Sequence, residues 1–300
     1  MVENSIKEIG RIMTNSYYEY QKIRMASMNR MRDVIRKKLE GIAFDEVEAK
    51  KEEKDFKKRY TDETLFDKLL KLQTEGKISK DEYKYILKCW EMMGESKRLE
   101  MKYQRGMSKY ISGEPIYTEF LSKVKGIGKV LSANLIKEFG DCSKYENVSK
   151  LWAHTGNDVR GGKAPQRRKG AEISYSPKLR TLTWKLSDSL LKSNKGYYRN
   201  IYDTEKEKGL NVTYEEGVLK EKYGNPYKNT DIALSRGHAH NRALRKMRKL
   251  FLSHFWGASR ELNGLPTDTV YVEGVLQHNH IFSWKDIVKM EEQAKKEQPV

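Results

Sequence analysis

Phe120-Leu-Ser-Lys-Val-Lys-Gly-Ile-Gly-Lys-Val-Leu-Ser-Ala-Asn-Leu-Ile-Lys-Glu-Phe-Gly140 decides how this chain is read. It has a short helix, a Gly-hydrophobic-Gly turn, and a second helix with Val130, Ala133, Leu135 and Ile136 facing inward, which is the layout of a helix-hairpin-helix. Gly126 and Gly128 let the backbone turn tightly around Ile127 with its amides exposed. The second helix adds its positive amino-terminal end, so a phosphate can be held without any base contact. Lys123, Lys125 and Lys129 surround the turn and supply the salt-dependent part of binding. Recognition of this kind reads backbone and shape, not base sequence.

Working outward, positive charge gathers around this stretch. Residues 121 to 180 hold thirteen Lys/Arg against five Asp/Glu. Val159 to Lys169 is a Gly/Pro-punctuated loop with Arg160, Lys163, Arg167, Arg168 and Lys169 and no acid, a composition that suits an exposed phosphate-contacting loop. Arg180 follows shortly after. From Arg236 to Arg260 there are seven Lys/Arg and no Asp or Glu. Ala243, Leu244, Met247, Leu250, Phe251 and Phe255 give that segment a helical apolar face, and Arg242, Arg245 and Arg248 take other positions. A charge run can be no more than a solvated helix face. The concentration of three such elements in one half of the chain favours polyanion contact.

The bulk composition agrees. The 300 residues carry 59 Lys+Arg against 42 Asp+Glu, a net charge of +17, which points to polyanionic partners. Cys89 and Cys142 show no metal or disulfide spacing, so a reducing, cytoplasmic setting is expected. No apolar run is long enough to span a membrane. The expected fold is mainly α: a helical, coiled-coil-like arm over 1–112, a helix-hairpin-helix domain over 113–260 that starts at the Gly113-Glu114-Pro115 break, and a carboxyl-terminal tail over 261–300. In the arm, Met28, Met31, Ile35, Leu39 and Ile42 recur at helical steps. Eight Lys/Arg against two acids between residues 11 and 38 read first as a solvated face. Leu65, Phe66, Leu69, Leu70 and Leu72 form a second helix that breaks at Gly76-Lys77. A third restarts at Ser79, with Glu82 completing a capping box, and continues through Tyr83, Ile86, Leu87, Trp90 and Met93. Residues 44–60 read as an exposed charged helix. The arm is the expected seat of any homodimer, and no chemistry is assigned to it.

Other chemistry finds little footing. His238/His240 and His278/His280 alternate as metal pairs do, but they lack Cys neighbours or a carboxylate cluster, and the first pair opens a helix on which residues two apart diverge. Paired catalytic carboxylates, a P-loop and a GxSxG elbow are absent, so no catalytic residue, metal or cofactor is expected. Thr269-Val-Tyr-Val-Glu273 reads as a short strand, and the last residues as a charged helix.

The Gly126–Asp141 stretch, Lys150-Leu-Trp-Ala-His-Thr-Gly156, the Gly161-Gly162-Lys163 loop, and Ile173-Ser174 ahead of Leu179-Arg180 together resemble the carboxyl-terminal domain of the IS-one-ten family of insertion-sequence transposases. The similarity covers roughly residues 116 to 256. Members resemble recombinases with an amino-terminal RuvC-like DEDD nuclease domain, a coiled coil and this domain, acting with a structured guide RNA on DNA junctions. No RuvC-like unit precedes the match, since residues 1 to 110 read as helical throughout; the arm could correspond to the coiled coil. The family's nucleophilic serine aligns just ahead of the paired glycines, where this chain has Val159-Arg160. An arginine can hold a phosphate but cannot attack it. Ser174 and Ser176 nearby read as phosphate hydrogen-bonders. The resemblance therefore implies a DNA-holding relative without catalysis. An active transposase or recombinase subunit and an RNA-binding subunit of a ribonucleoprotein stand as alternatives.

Overall fold

The computed structural model describes residues 2–39, 62–167, 169–223, 232–267 and 282–296. Two compact units divide the chain, Met1–Met107 and Ser108–Val300. The division falls within the last turns of a helix, ahead of the Gly113-Glu114-Pro115 break. The segment expected as a tail lies within the second unit.

Unit 1 is built on helices α1 (Val2–Leu39), α2 (Asp62–Thr74) and α3, which begins at Lys80 and ends at Ile111. Ser79 and Glu82 start α3 as their spacing predicts. The Ser79 amide donates to the Glu82 carboxylate at 2.8 Å, and the Glu82 amide donates to Ser79 Oγ at 3.2 Å. Gly76, at φ +71, makes the turn before it. Met28, Met31 and Ile35 of α1, Leu65, Leu69 and Leu72 of α2, and Ile86, Cys89 and Met93 of α3 close one apolar seam. Each fully buried side chain contributes roughly 1.5–3 kcal/mol of transfer free energy. Residue numbers rise along α1 as they fall along α3. Tyr20 stacks on Tyr103, Arg24 pairs with Glu100 at 2.6 Å, and Lys38 pairs with Glu82 at 2.8 Å, so the two run antiparallel. The stripe of α1 is therefore covered within one chain. Several of its cations are paired along the helix as well: Arg11 with Glu8, and both Arg36 and Lys37 with Asp33. Ile42 and the charged stretch 44–60 lie outside the described residues.

Unit 2 contains a π-helical turn (Tyr117–Leu121) and helices α4 (Lys129–Phe139), α5 (Val148–His154), α6 (Pro177–Lys192), α7 (Tyr197–Asn211), α8 (Val218–Tyr223), α9 (Arg236–Leu262) and α10 (Trp284–Lys296). Among the described residues the only β pairing is two isolated bridges, Arg160 with Lys163 and Thr213 with Ala233, so the fold is mainly α. Helix α9 is central and packs against α5, α6, α7 and α10. Its Ala239, Ala243, Met247, Phe251 and Phe255 are fully buried and Leu244 nearly so, while Leu250 is half-buried. The most extensive packing is against α7, where Gly209 lies against Ala239. Phe120, Phe139 and Tyr198 complete an aromatic core with Phe251 and Phe255. Helix α10, unexplained in the sequence, belongs to this core. Trp284 stands edge-on to Phe120, its indole N–H donates to Glu261 at 2.7 Å, and buried Glu291 accepts from the Tyr197 amide at 2.7 Å, closing the first turn of α7. The Thr269–Glu273 stretch lies outside the described residues. Among those residues no helix is long and apolar enough to cross a membrane.

Candidate nucleic-acid interface

Three elements of unit 2 surround a cleft of about 1890 Å³. The first is the segment after α5. Asn147 caps that helix by accepting from the Lys150 amide, Trp152 buries its ring, and Gly156 suits its place twice over, with φ +65 and no room for a Cβ, which would lie 2.8 Å from the Tyr175 ring. Arg160 and Lys163 then exchange both backbone hydrogen bonds at 3.0 Å across Gly161 (φ +53) and Gly162 (φ +73). Positive φ at both central residues makes a two-residue hairpin turn of the kind glycine pairs favour. It sets two cations side by side on the cleft rim.

The second element is the first half of α6. Ser176 caps it, accepting from the Leu179 amide, and Pro177 occupies the first turn. Leu179, Leu182, Leu186 and Leu190 bury one stripe, which turns Pro177, Arg180, Thr181 and Trp184 towards the cleft. Arg180 is fixed in place: its Nη1 donates to the Pro165 carbonyl at 2.7 Å and its guanidinium lies 4.6 Å over the Tyr175 ring.

The third element is the face of α9 opposite its core stripe, which carries Arg236, His238, Arg242, Arg245, Lys246, Arg248 and Lys249. Arg242 donates to the Tyr214 hydroxyl at 3.0 Å, and Lys249 Nζ sits 3.9 Å over Trp152. In all, nine Lys/Arg line the cleft and, among the described residues, no Asp or Glu does. Two acids stand behind the lining, Asp158 pairing with Arg160 at 2.8 Å and Glu205 with Lys246 at 2.5 Å. The remaining charges act on one another. Burial, then Arg245 and Arg180, push Arg248 down to about 10 from 12.5, and among the described residues no group accepts from its buried Nε. Burial and then Arg245 lower Lys249; burial and then Arg242 and Arg245 lower His238, which leaves that imidazole neutral at pH 7. A site of like charges held partly out of water favours an anionic ligand.

No family model, curated protein or solved structure matches this chain.

The residues singled out in the sequence are placed in three groups. Arg160, Lys163, Arg180, Arg242, Arg245 and Arg248 converge on the cleft. Arg167 and Lys169 are exposed around a separate shallow depression with Gly170, Ala171 and Ile173, and Arg168 lies outside the described residues. The Gly126–Gly128 turn does not line the cleft. What precedes it is a five-residue π turn, not a regular helix. Gly126, at φ +91, packs on the far end of α6: its carbonyl accepts from Ser189 Oγ at 2.6 Å, and a Cβ would come within 3.1 Å of the Ser189 carbonyl. Ile127 is buried and its amide donates to Val124. Gly128 has an ordinary φ of −86 and caps α4 with no side-chain acceptor and no acid in the first turn, leaving that helix end open beside exposed Lys129. Lys125 is half-buried, and Lys123 pairs with Glu292 of α10 at 3.0 Å.

Ser176 serves as a helix cap, and Ser174 lines the cleft. His240 turns away from His238 to meet the Tyr202 hydroxyl at 2.6 Å, and His278/His280 lie outside the described residues. The sequence reading missed Trp184, Tyr214 and Asn157 on the cleft wall. For Trp184 a signal existed: it stands off the Leu179-Leu182-Leu186-Leu190 stripe, so a large aromatic falls on the polar face of α6.

Proposed function

We propose that this chain binds nucleic acid through its phosphate backbone, DNA in the first place, and holds it without catalysing a reaction. The observation that carries the reading is the cleft itself, in which nine cations meet and, among the described residues, no carboxylate joins the lining. Its volume of about 1890 Å³ exceeds the roughly 300–1000 Å³ usual for small-molecule pockets, so a polymer suits it better than a metabolite. The open amino-terminal end of α4 beside Lys129 offers a second phosphate contact. The resemblance to the carboxyl-terminal domain of IS-one-ten transposases supports a DNA partner, bent or branched DNA included. Arg160 at the family's serine position supports holding over cutting. Both cysteines are buried, and burial pushes the Cys142 thiol up to about 12, which suits a cytoplasmic protein without thiol chemistry.

Fluorescence anisotropy with a labelled duplex, a four-way junction and a folded RNA at one fixed salt concentration tests this reading. The double variant Arg242→Glu/Arg245→Glu is expected to bind DNA at least about tenfold more weakly than wild type. Equal affinity in a folded double variant would remove the cleft as the interface, and preference for the RNA would move the chain to the ribonucleoprotein alternative.

A further inference from the structure

The chain's five tryptophans do not share one fate. Trp90 packs against Phe66 with ring centroids 4.7 Å apart. Trp152 carries Lys249 on its face and donates to the Lys249 carbonyl, Trp256 donates to Tyr145, and Trp284 donates to Glu261. Trp184 is 53% exposed, and among the described residues no ring or cation lies on its face and no acceptor takes its N–H. It is also on the wall of the cationic cleft, one helical turn from Arg180 and across from the arginines of α9.

Leaving about half of an indole in water forgoes part of the gain from burying it, and a cationic cleft wall is not where packing alone would put it. Flat π faces beside phosphate-binding cations are how proteins hold unpaired nucleotides: each base has a face to stack, whatever its identity, and the backbone follows the positive groove. Inside a duplex both faces of every interior base are already stacked, so an exposed indole gains little from double-stranded DNA beyond its two end pairs.

We propose that the cleft takes an unpaired stretch of DNA, a single strand or the splayed arm of a branched molecule, with one base stacked on Trp184 while the cleft arginines hold the adjoining phosphates. This rests on the backbone-binding reading above and adds to it the kind of DNA that is held.

The test compares wild-type protein with Trp184→Ala and Trp184→Phe on three labelled probes of equal length at one salt concentration: oligo(dT), the same strand built from abasic sites, and a blunt duplex. Trp184→Ala is expected to weaken oligo(dT) binding roughly 5- to 150-fold and to leave the abasic strand and the duplex unchanged. Trp184→Phe should restore most of the loss, and oligo(dT), but not the abasic strand, should quench tryptophan emission in wild type and not in Trp184→Ala. If Trp184→Ala binds oligo(dT) like wild type, or loses all three probes equally, stacking is overturned while backbone binding stands. If wild type binds none of the probes, both readings fall.

Discussion

Arg248 carries a charge that the folded chain leaves poorly compensated: its Nε is buried without an acceptor among the described residues, and Arg245 and Arg180 repel it. A base held at about 10 against 12.5 costs the folded state on the order of 3 kcal/mol while it is charged. Because its folded value is the lower one, that cost applies below pH 10 and is relieved only above it. Arg248→Met keeps the packing stem and removes the charge. The variant should unfold at higher urea concentration than wild type, by about 1–3 kcal/mol, and bind DNA more weakly; a variant less stable than wild type would show that the charge is compensated after all. His254 has the same sign in a lower pH window. Burial holds it at about 4, although its link to the Phe282 carbonyl and the nearby Asp286 pull upward, and Tyr198 meets its other nitrogen at 2.8 Å. The unfolded chain binds a proton at this imidazole near 6.5 and the folded chain does not, so stability from this group is whole above pH 6.5 and falls between 6.5 and 4 by roughly 3 kcal/mol. Urea midpoints of wild type and His254→Gln at pH 7.5, 5.5 and 4 should converge on acidification; parallel profiles would clear His254 of the effect. At this scale the sequence was partly legible. Arg160, Lys163, Arg180, Arg242, Arg245 and Arg248 stood out as a charge excess, but nothing local told which of them would be shielded from water and which, like Lys123, would meet a carboxylate 169 positions away.

Turns and caps show where local rules sufficed. The Ser79/Glu82 box, the Gly76 turn and the Gly161-Gly162 hairpin follow from the conformations those residues permit, and Ser79→Ala should cost unit 1 about 1 kcal/mol in chemical denaturation. The Gly126-Ile127-Gly128 turn is different, for its two glycines do unlike jobs. Gly126 is a packing residue with positive φ against α6, so Gly126→Val should destabilise unit 2 by about 1–3 kcal/mol, while Gly128→Ser, at an ordinary φ and with open space around its Cα, should leave stability unchanged or raise it slightly. Thermal unfolding of the two single variants separates these roles; equal losses would mean that the turn is rigid as a whole. The π turn at Tyr117–Leu121 and the docking of α10 were not legible, because both depend on what packs over them: Phe120 sits under Trp284 from the far end of the chain.

At the scale of the molecule, a net charge of +17 said which kind of partner to expect, and the mainly helical fold followed from apolar spacing. What composition could not say is that the loop after Gly156, the start of α6 and the outer face of α9 meet, since that requires the long-range packing of α9 at the centre of unit 2. The number of cations that act together is measurable. The logarithm of duplex affinity should fall with the logarithm of salt at a slope of about −0.9 per phosphate neutralised, and Arg242→Gln and Arg245→Gln should each flatten it by about one such step. A slope unmoved by either substitution would place the bound phosphates elsewhere. The seat of α10 has a consequence during synthesis. Glu291 completes the first turn of α7 and Trp284 covers Phe120, so unit 2 lacks part of its interior until residue 296 has cleared the ribosome, roughly 10–40 s after residue 107 at ordinary elongation rates. Through that interval unit 1 can already be shut, while the half-made second unit presents bare aromatic surface to whichever chaperone waits at the exit tunnel.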